Sequence, residues 1–315
     1  MGDFFNGLMA PLYWVVSVIL TGWHTLFSDV LGLPATSGWT WALSIVGLTV
    51  VIRVALIPLF VKQIKSSRNM QMLQPKVKDL QKKYGHDRER LAQETMALYR
   101  DAGTNPFASC LPILAQAPIF FALFRVLNEA TDGDGLGVLS DREAAVLDEA
   151  DLFGVRISDQ FSMAVGAAGG TDWGVLVLTA TLVLLMTATT FTTQRQLMRK
   201  NMPESALSGP YAQQQKMLLY ILPLAFGFGG IFFPVGVLLY WTTSNLWTMG
   251  QQFYVIRSNP APGTPAFEAK VARDIRKGKV TPATEAAEPP PAQDAAAPRR
   301  QQPKKTSRHQ RRGGR

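Results

Sequence analysis

The chain holds a single cysteine, Cys110, among 315 residues. One cysteine supports neither an internal disulfide nor a metal cluster, and none lies near the N-terminus for a lipoprotein anchor. Cys110 itself reads as a small packing residue. No glycine-rich nucleotide loop, Walker motif or metal-spaced cluster occurs, so no cofactor or metal is expected and ATP-driven transport within this chain is disfavoured. Charge is missing where it would be most telling. Five apolar stretches approach the roughly 20 residues needed to cross a bilayer: 41–61, 106–127, 173–193, 217–232 and 235–255. None contains Asp, Glu, Lys or His. Ion-coupled transporters usually keep such groups at membrane depth, and an intramembrane protease needs a Ser/His or paired-Asp constellation. Both readings are disfavoured, and no enzymatic chemistry is expected.

What charge there is sits between the stretches and orients them. Residues 62–100 carry ten Lys/Arg against four Asp/Glu, whereas 128–172 carry ten acidic residues and two basic ones, Arg142 and Arg156. Residues 195–216 hold four basic residues and one acidic, and the segment from Arg257 onward holds fourteen against five. The alternation predicts five spans that start outside and end inside, placing a multi-pass protein in the plasma membrane with a cytoplasmic C-terminus. Gly229, Gly230 and Pro234 predict a tight outer turn between the last two spans.

The first 40 residues stand apart as an N-terminal helix and linker. Within 12–31, Ser17, Thr21, His24 and Ser28 recur at helical spacing opposite Tyr13, Trp14, Ile19, Leu20 and Phe27. Such an amphipathic helix is expected to lie in the membrane interface, with a sixth span as the alternative reading.

Inside the spans one residue is anomalous. Arg53 lies near the middle of WALSIVGLTVVIRVALIPLFV, where an arginine costs roughly 2.5–3.5 kcal/mol on insertion scales. No carboxylate in another span can partner it, which points to a wet cavity; a structural arginine capping backbone carbonyls is the alternative. Thr49 lies one turn earlier on the same face. The second span carries Gln116 between Pro112 and Pro118, the third is rich in threonine, and the fifth holds Thr242, Thr243, Ser244, Asn245, Thr248 and Gln251. Facing inward with Arg53, these groups would line a hollow open to the cytoplasm. For any one threonine, interhelical hydrogen bonding is the favoured reading.

Residues 64–101 are more than a loop. Met70, Leu73, Val77, Leu80 and Tyr84 form one apolar stripe, Gly85 is a break, and Leu91, Thr95 and Leu98 continue on one face. The pattern predicts a cytoplasmic hairpin of two amphipathic helices. Its other surface is basic, with Lys76, Lys78, Lys82, Lys83, Arg88 and Arg90. Residues 257–315, rich in Pro, Ala and charge, have too few apolar side chains for a core and are expected to be disordered. Their terminal basic run suits contact with anionic lipid or RNA, or serves simply as a solubilising tail.

Three segments together resemble the YidC/Oxa/Alb family of membrane protein insertases, in an actinobacterial-like form: VVIRVALIPLFVKQIKSSRNMQMLQPKVKDLQKKYG, QETMALYRDAGTNPFASCLPILAQAPIFFALFRVL and FPVGVLLYWTTSNLWTMGQQ. The resemblance covers all five spans and the hairpin in order, a core of 41–256. It implies an all-α membrane protein whose five helices enclose a hydrophilic groove open to the cytoplasm, with Arg53 at its centre to attract the polar segment of a client. Thr49, Gln116, Phe120, Tyr240 and Trp241 would line the groove or a greasy slide beside it, and the basic hairpin would dock partners. Implied partners are nascent membrane proteins, the ribosome, the Sec translocon and the lipid bilayer. The large periplasmic domain of Gram-negative members is missing, NPFASC replaces a more usual glycine-rich stretch, and threonines stand where some relatives place a third-span glutamine. A small-solute or anion transporter using Arg53 as its binding charge, and a structural assembly factor, are the competing readings.

Overall fold

The computed structural model describes residues 2–104, 111–165, 170–201 and 210–279; Cys110 and the basic run at the end of the tail lie outside them. The fold is almost wholly helical. Helix α1 runs over Gly2–Thr25 and continues through a π-helical turn, Leu26–Val30; α2 covers Gly38–Ala55, α3 Ile57–Tyr84, α4 Arg88–Asp101 and α5 Leu111–Thr131. Then come α6 (Asp141–Glu149), a two-stranded antiparallel hairpin of β1 (Asp151–Leu152) and β2 (Val155–Arg156), and α7 (Phe161–Ala164). Helices α8 (Trp173–Asn201), α9 (Pro210–Gly229), α10 (Val235–Ser258) and α11 (Pro265–Arg276) complete the order. Contacts divide the chain into Met1–Lys270 and Val271–Arg315.

The local chemistry explains most of the boundaries. Ser37 caps α2 by accepting from the Trp39 N–H at 3.3 Å. The expected first span, 41–61, is interrupted at Leu56, because Pro58 has no N–H to give and its ring opposes the carbonyl one turn back. Proline is well placed in the first turn of a new helix, so α3 begins at Ile57, ahead of the hairpin start expected at 64. Helix α3 stops at Gly85, and α4 starts where the Asp87 carboxylate accepts from the Arg90 N–H at 3.0 Å. A capping box of Ser140 and Glu143 opens α6. The first amides of α10 are satisfied from the loop before it: Val235 N–H donates to the Asp159 carbonyl and Gly236 N–H to that of Ile157, at 3.0 and 2.9 Å. Gly236 suits this approach, since a Cβ there would lie 2.8 Å from Ile157 Cγ2.

Three helices among the described residues are long and apolar enough to cross a membrane: Asn6–Val30, Gly38–Ala55 and Trp173–Lys200; Leu219–Phe232 is apolar but shorter. Helix α10 misses that mark because the polar run 242–251 interrupts it, and α5 carries Gln116, Arg125 and Asn128 within an otherwise apolar run. The largest core joins Tyr13 and Leu20 of α1, Trp41 and Leu48 of α2, Leu123 and Val126 of α5, and Tyr240 of α10. A second joins Val155, Leu182, Val235 and Leu238. Outside them, Leu184 of α8, Leu224 and Phe228 of α9 and Leu114 of α5 are exposed, a surface suited to lipid rather than water.

The polar stripe of α1 divides, with Thr21 and Ser28 only half-buried. Ser17 and His24 are buried. The Ser17 hydroxyl donates to Trp14 O at 3.0 Å and accepts from the Val138 N–H at 2.9 Å, while His24 stacks on Trp41 and its Nε2 meets Ala35 O at 2.9 Å. The outward side instead carries Leu8, Trp14, Val15 and Val30.

Candidate functional site

Arg53 lies in the last turn of α2, where that helix packs on α10, and is 7% exposed. Its Nε donates to the Ser244 hydroxyl at 3.1 Å, and Nη2 donates to the same oxygen. The guanidinium carbon stands 5.6 Å from the ring centre of Phe60, in the first turn of α3. Both partners are neutral, so neither cancels the charge. Ser244 is held in turn by its helix: its carbonyl accepts from the Thr248 hydroxyl at 2.9 Å.

One turn before Ser244, Tyr240 is buried, and its hydroxyl accepts from Gln116 Nε2 on α5. The Gln116 Oε1 and the Thr242 hydroxyl are buried without a hydrogen-bond partner. Tyr240 also begins an aromatic cluster. Phe120, one turn along α5 from Gln116, lies 6.4 Å from Tyr240, 5.2 Å from Trp241 and 5.6 Å from Phe233 between ring centres. Trp241 reaches across to Phe226 of α9 at 4.9 Å. Five of the six expected groove residues thus fall into two linked sets: Arg53 with Ser244, and Gln116 with Tyr240, Phe120 and Trp241.

The sixth, Thr49, is buried, but its hydroxyl donates to Ile45 O at 2.7 Å within its own helix. The threonines of α8 behave alike: Thr179, Thr181, Thr189 and Thr193 each donate to a carbonyl one turn back. Their donor protons therefore need no water. Thr190 alone of this set reaches another helix, accepting from Asn245 Nδ2 of α10 at 3.0 Å.

Of the hairpin's basic residues, Lys76, Lys82, Lys83, Arg88 and Arg90 are exposed and Lys78 is half-buried. The Lys83 ammonium and the Arg90 guanidinium both lie 5.1 Å from the Tyr84 ring centre, while Leu73 and Val77 turn inward. Sequence reasoning missed an apolar cleft of about 440 Å³ between the start of α3 and the end of α10, lined by Ile57, Val61, Ile64, Trp247, Gln251 and Tyr254 among others. It also missed Phe60, Phe226 and Phe233 as neighbours of the site. The period of α10 puts Ser244 four residues after Tyr240 on the same face, but does not distinguish a partner for Arg53 from a serine bonded to its own helix.

The sequence model of the 60Kd inner membrane protein family matches residues 32–262, which takes in all of these side chains. The chain belongs to this family. It is also similar to a protein of Streptomyces avermitilis named membrane protein insertase YidC, 47% identical over 87% of this chain and 63% of that protein's length. A Tropheryma whipplei protein of the same name is 39% identical over 86% of this chain and 90% of its own. The chain thus spans under two thirds of the Streptomyces relative and nearly all of the Tropheryma one. A crystal structure of an active YidC insertase with its first transmembrane domain resolved is 22% identical, with a TM-score of 0.47, over 79% of this chain and 46% of the other. Membership is the YidC/Oxa/Alb family of insertases, and the apolar helices make the chain an integral membrane protein.

Proposed function

We propose that this chain is a membrane protein insertase and chaperone without enzymatic chemistry, which passes hydrophobic segments of nascent polypeptides into the bilayer, alone or with the Sec translocon. The observation that carries the reading is Arg53: a buried charge whose partners, Ser244 and Phe60, are both neutral, in a chain whose relatives are named insertases. In this reading α2, α5, α8, α9 and α10 enclose a hydrophilic groove open to the cytoplasm. Arg53 attracts the polar or acidic part of a client, and the unpartnered Gln116 Oε1 and Thr242 hydroxyl offer hydrogen bonds to its backbone. The client's apolar segment leaves past Phe120, Tyr240 and Trp241. The hairpin at 64–101, with Lys76, Lys78, Lys82, Lys83, Arg88 and Arg90, meets the ribosome or the emerging chain, and the basic run of the tail meets anionic lipid or RNA on the cytoplasmic side.

Photocrosslinkers placed at Thr49, Phe120 and Tyr240 test the groove directly. They are expected to capture a ribosome-bound nascent membrane protein. Probes that catch only lipid while insertion proceeds overturn the groove. Saturable anion flux into liposomes holding the purified protein alone favours the transporter reading instead.

A further inference from the structure

The turn joining β1 to β2 has a residue that its backbone does not favour. Leu152 pairs with Val155, so Phe153 and Gly154 form a two-residue loop, and both have positive φ, 59° and 77°. That geometry asks for Asn, Asp or Gly at the first position, and a bulky side chain there is a backbone outlier. Strain of this kind persists where something else favours the residue. Packing beneath the turn does not supply it, because Phe153 is 72% exposed. The Asp151 carboxylate already braces the turn by accepting from the Gly154 N–H at 3.2 Å, which needs no phenylalanine.

The surroundings give Phe153 a role. The hairpin is wedged between the N-terminal ends of two helices long and apolar enough to span a bilayer. At α2, Gly38 lies so close to the Asp151 carbonyl that no Cβ would fit. At α8, a Cβ on Gly174 would sit 3.4 Å from Val155 Cγ2. The turn is therefore level with the first turns of both helices. At that level two further aromatics are also exposed: Trp39 of α2, edge-on to Phe153 at 5.1 Å, and Trp173, the first residue of α8. Around them stand charged residues, Asp151 and Arg156 on the strands and Asp172 before α8, whose carboxylate accepts from the Val175 N–H. Apolar rings beside charges, at the ends of spans, match the belt of aromatic side chains that settles at the headgroup level of a bilayer.

We infer that the Phe153 turn is a membrane-interface anchor: with Trp39 and Trp173 it inserts among the lipid headgroups and fixes the depth of α2 and α8. The inference needs α2 and α8 to cross the bilayer but is independent of any groove. Its occupant is lipid, and a protein partner covering the same rings is the competing outcome.

The test uses the full chain with Cys110→Ser and one nitroxide-labelled cysteine at a time, in vesicles of phosphatidylethanolamine and phosphatidylglycerol. A label at Phe153→Cys is expected to collide with oxygen several-fold more, relative to a water-soluble nickel chelate, than a label at exposed Asp134. It should do so less than a label at Leu184, in the middle of α8. A Phe153 label as accessible to nickel as Asp134, or shielded from both reagents, overturns the anchor. If Leu184 also reads as water-exposed, the spanning of α8 falls with it. Because the labelled cysteine removes the ring itself, melting of unlabelled variants in the same vesicles supplies a second measurement. Phe153→Trp should keep the melting temperature, whereas Phe153→Asn, which suits the turn better, should lower it. A rise with asparagine shows that the ring contributes less at the membrane than its strained backbone costs, and refutes the inference.

Discussion

The Arg53 guanidinium of α2 and the Ser244 hydroxyl of α10 are joined by a donated hydrogen bond at 3.1 Å from Nε and a second from Nη2. A hydroxyl orients the guanidinium without neutralising it. That arrangement separates two roles of the contact, holding α2 to α10 and keeping a positive charge available. Ser244→Ala should cost about 1.5–3 kcal/mol, the range for a hydrogen bond to a charged group, seen as a lower melting temperature. Ser244→Asp should preserve stability while cancelling the charge. If Arg53 attracts clients, Ser244→Asp and Arg53→Glu should both abolish insertion of clients with acidic translocated segments, and Arg53→Lys should retain much of it. Equal insertion by Arg53→Glu would remove the electrostatic role.

Gln116 and Tyr240 link α5 to α10 through the amide Nε2 and the phenolic oxygen. Tyr240 is 2% exposed, so Gln116→Leu leaves a buried hydroxyl unpaired, at about 1–3 kcal/mol. Tyr240→Phe strands the amide in the same way. The double variant removes both polar groups together and should be less destabilised than the two single losses summed. Melting temperatures in one detergent measure this cycle; strict additivity would mean that the pair does not couple.

These two contacts mark how far the sequence is legible. Arg53 announces itself because a charge inside an apolar run is costly wherever it ends up. Ser244 does not, since a serine in a membrane helix bonds its own backbone as readily as a neighbour, and only tertiary packing chooses. The same ambiguity holds at α1. Ser17 and His24 lie on a polar stripe that faces water in an interfacial helix and protein in a packed one, and periodicity cannot tell the two apart; here they meet Val138, Ala35 and Trp41. Glycine and proline are plainer. Gly85 is where α3 stops, and Pro58 marks the break at Leu56 despite the run of apolar residues around it. The α8 threonines could not have been assigned to a groove, because one-turn-back hydrogen bonds leave no trace in composition.

Asp159 carries a pH dependence outside the spans. Its carboxylate accepts from the Arg156 N–H at 2.9 Å and its carbonyl from the first amide of α10. Burial pushes its carboxyl above the ordinary aspartate range, with Asp172 and Asp148 pushing the same way, against the opposing pull of the Arg156 N–H and positive charge. A raised folded-state value means that the folded protein holds the proton more tightly. This contribution to stability is complete below the unfolded value, about pH 3.9, and is lost as pH rises through the folded one. Asp159→Asn mimics the protonated form at every pH. Its melting temperature should therefore match the wild type in acid and exceed it toward neutrality. A difference that does not change with pH would show that the carboxyl keeps its ordinary value.

The basic hairpin yields a prediction that separates steering from docking. Lys82, Lys83, Arg88 and Arg90 are exposed around the α3–α4 joint, and Tyr84 holds Lys83 and Arg90 against its ring. If these charges meet ribosomal RNA, each phosphate contact releases counterions, so binding should weaken steeply with salt. Replacing Lys82, Lys83 and Arg90 by Gln should then flatten the salt dependence of ribosome co-sedimentation as well as weaken binding at low salt. Tyr84→Ala keeps every charge and removes only the surface that organises two of them, so it should lower affinity while leaving the slope with salt unchanged. If the Gln variant loses affinity with the wild-type slope intact, the hairpin docks through shape rather than charge, and its basic face is only a solvated one.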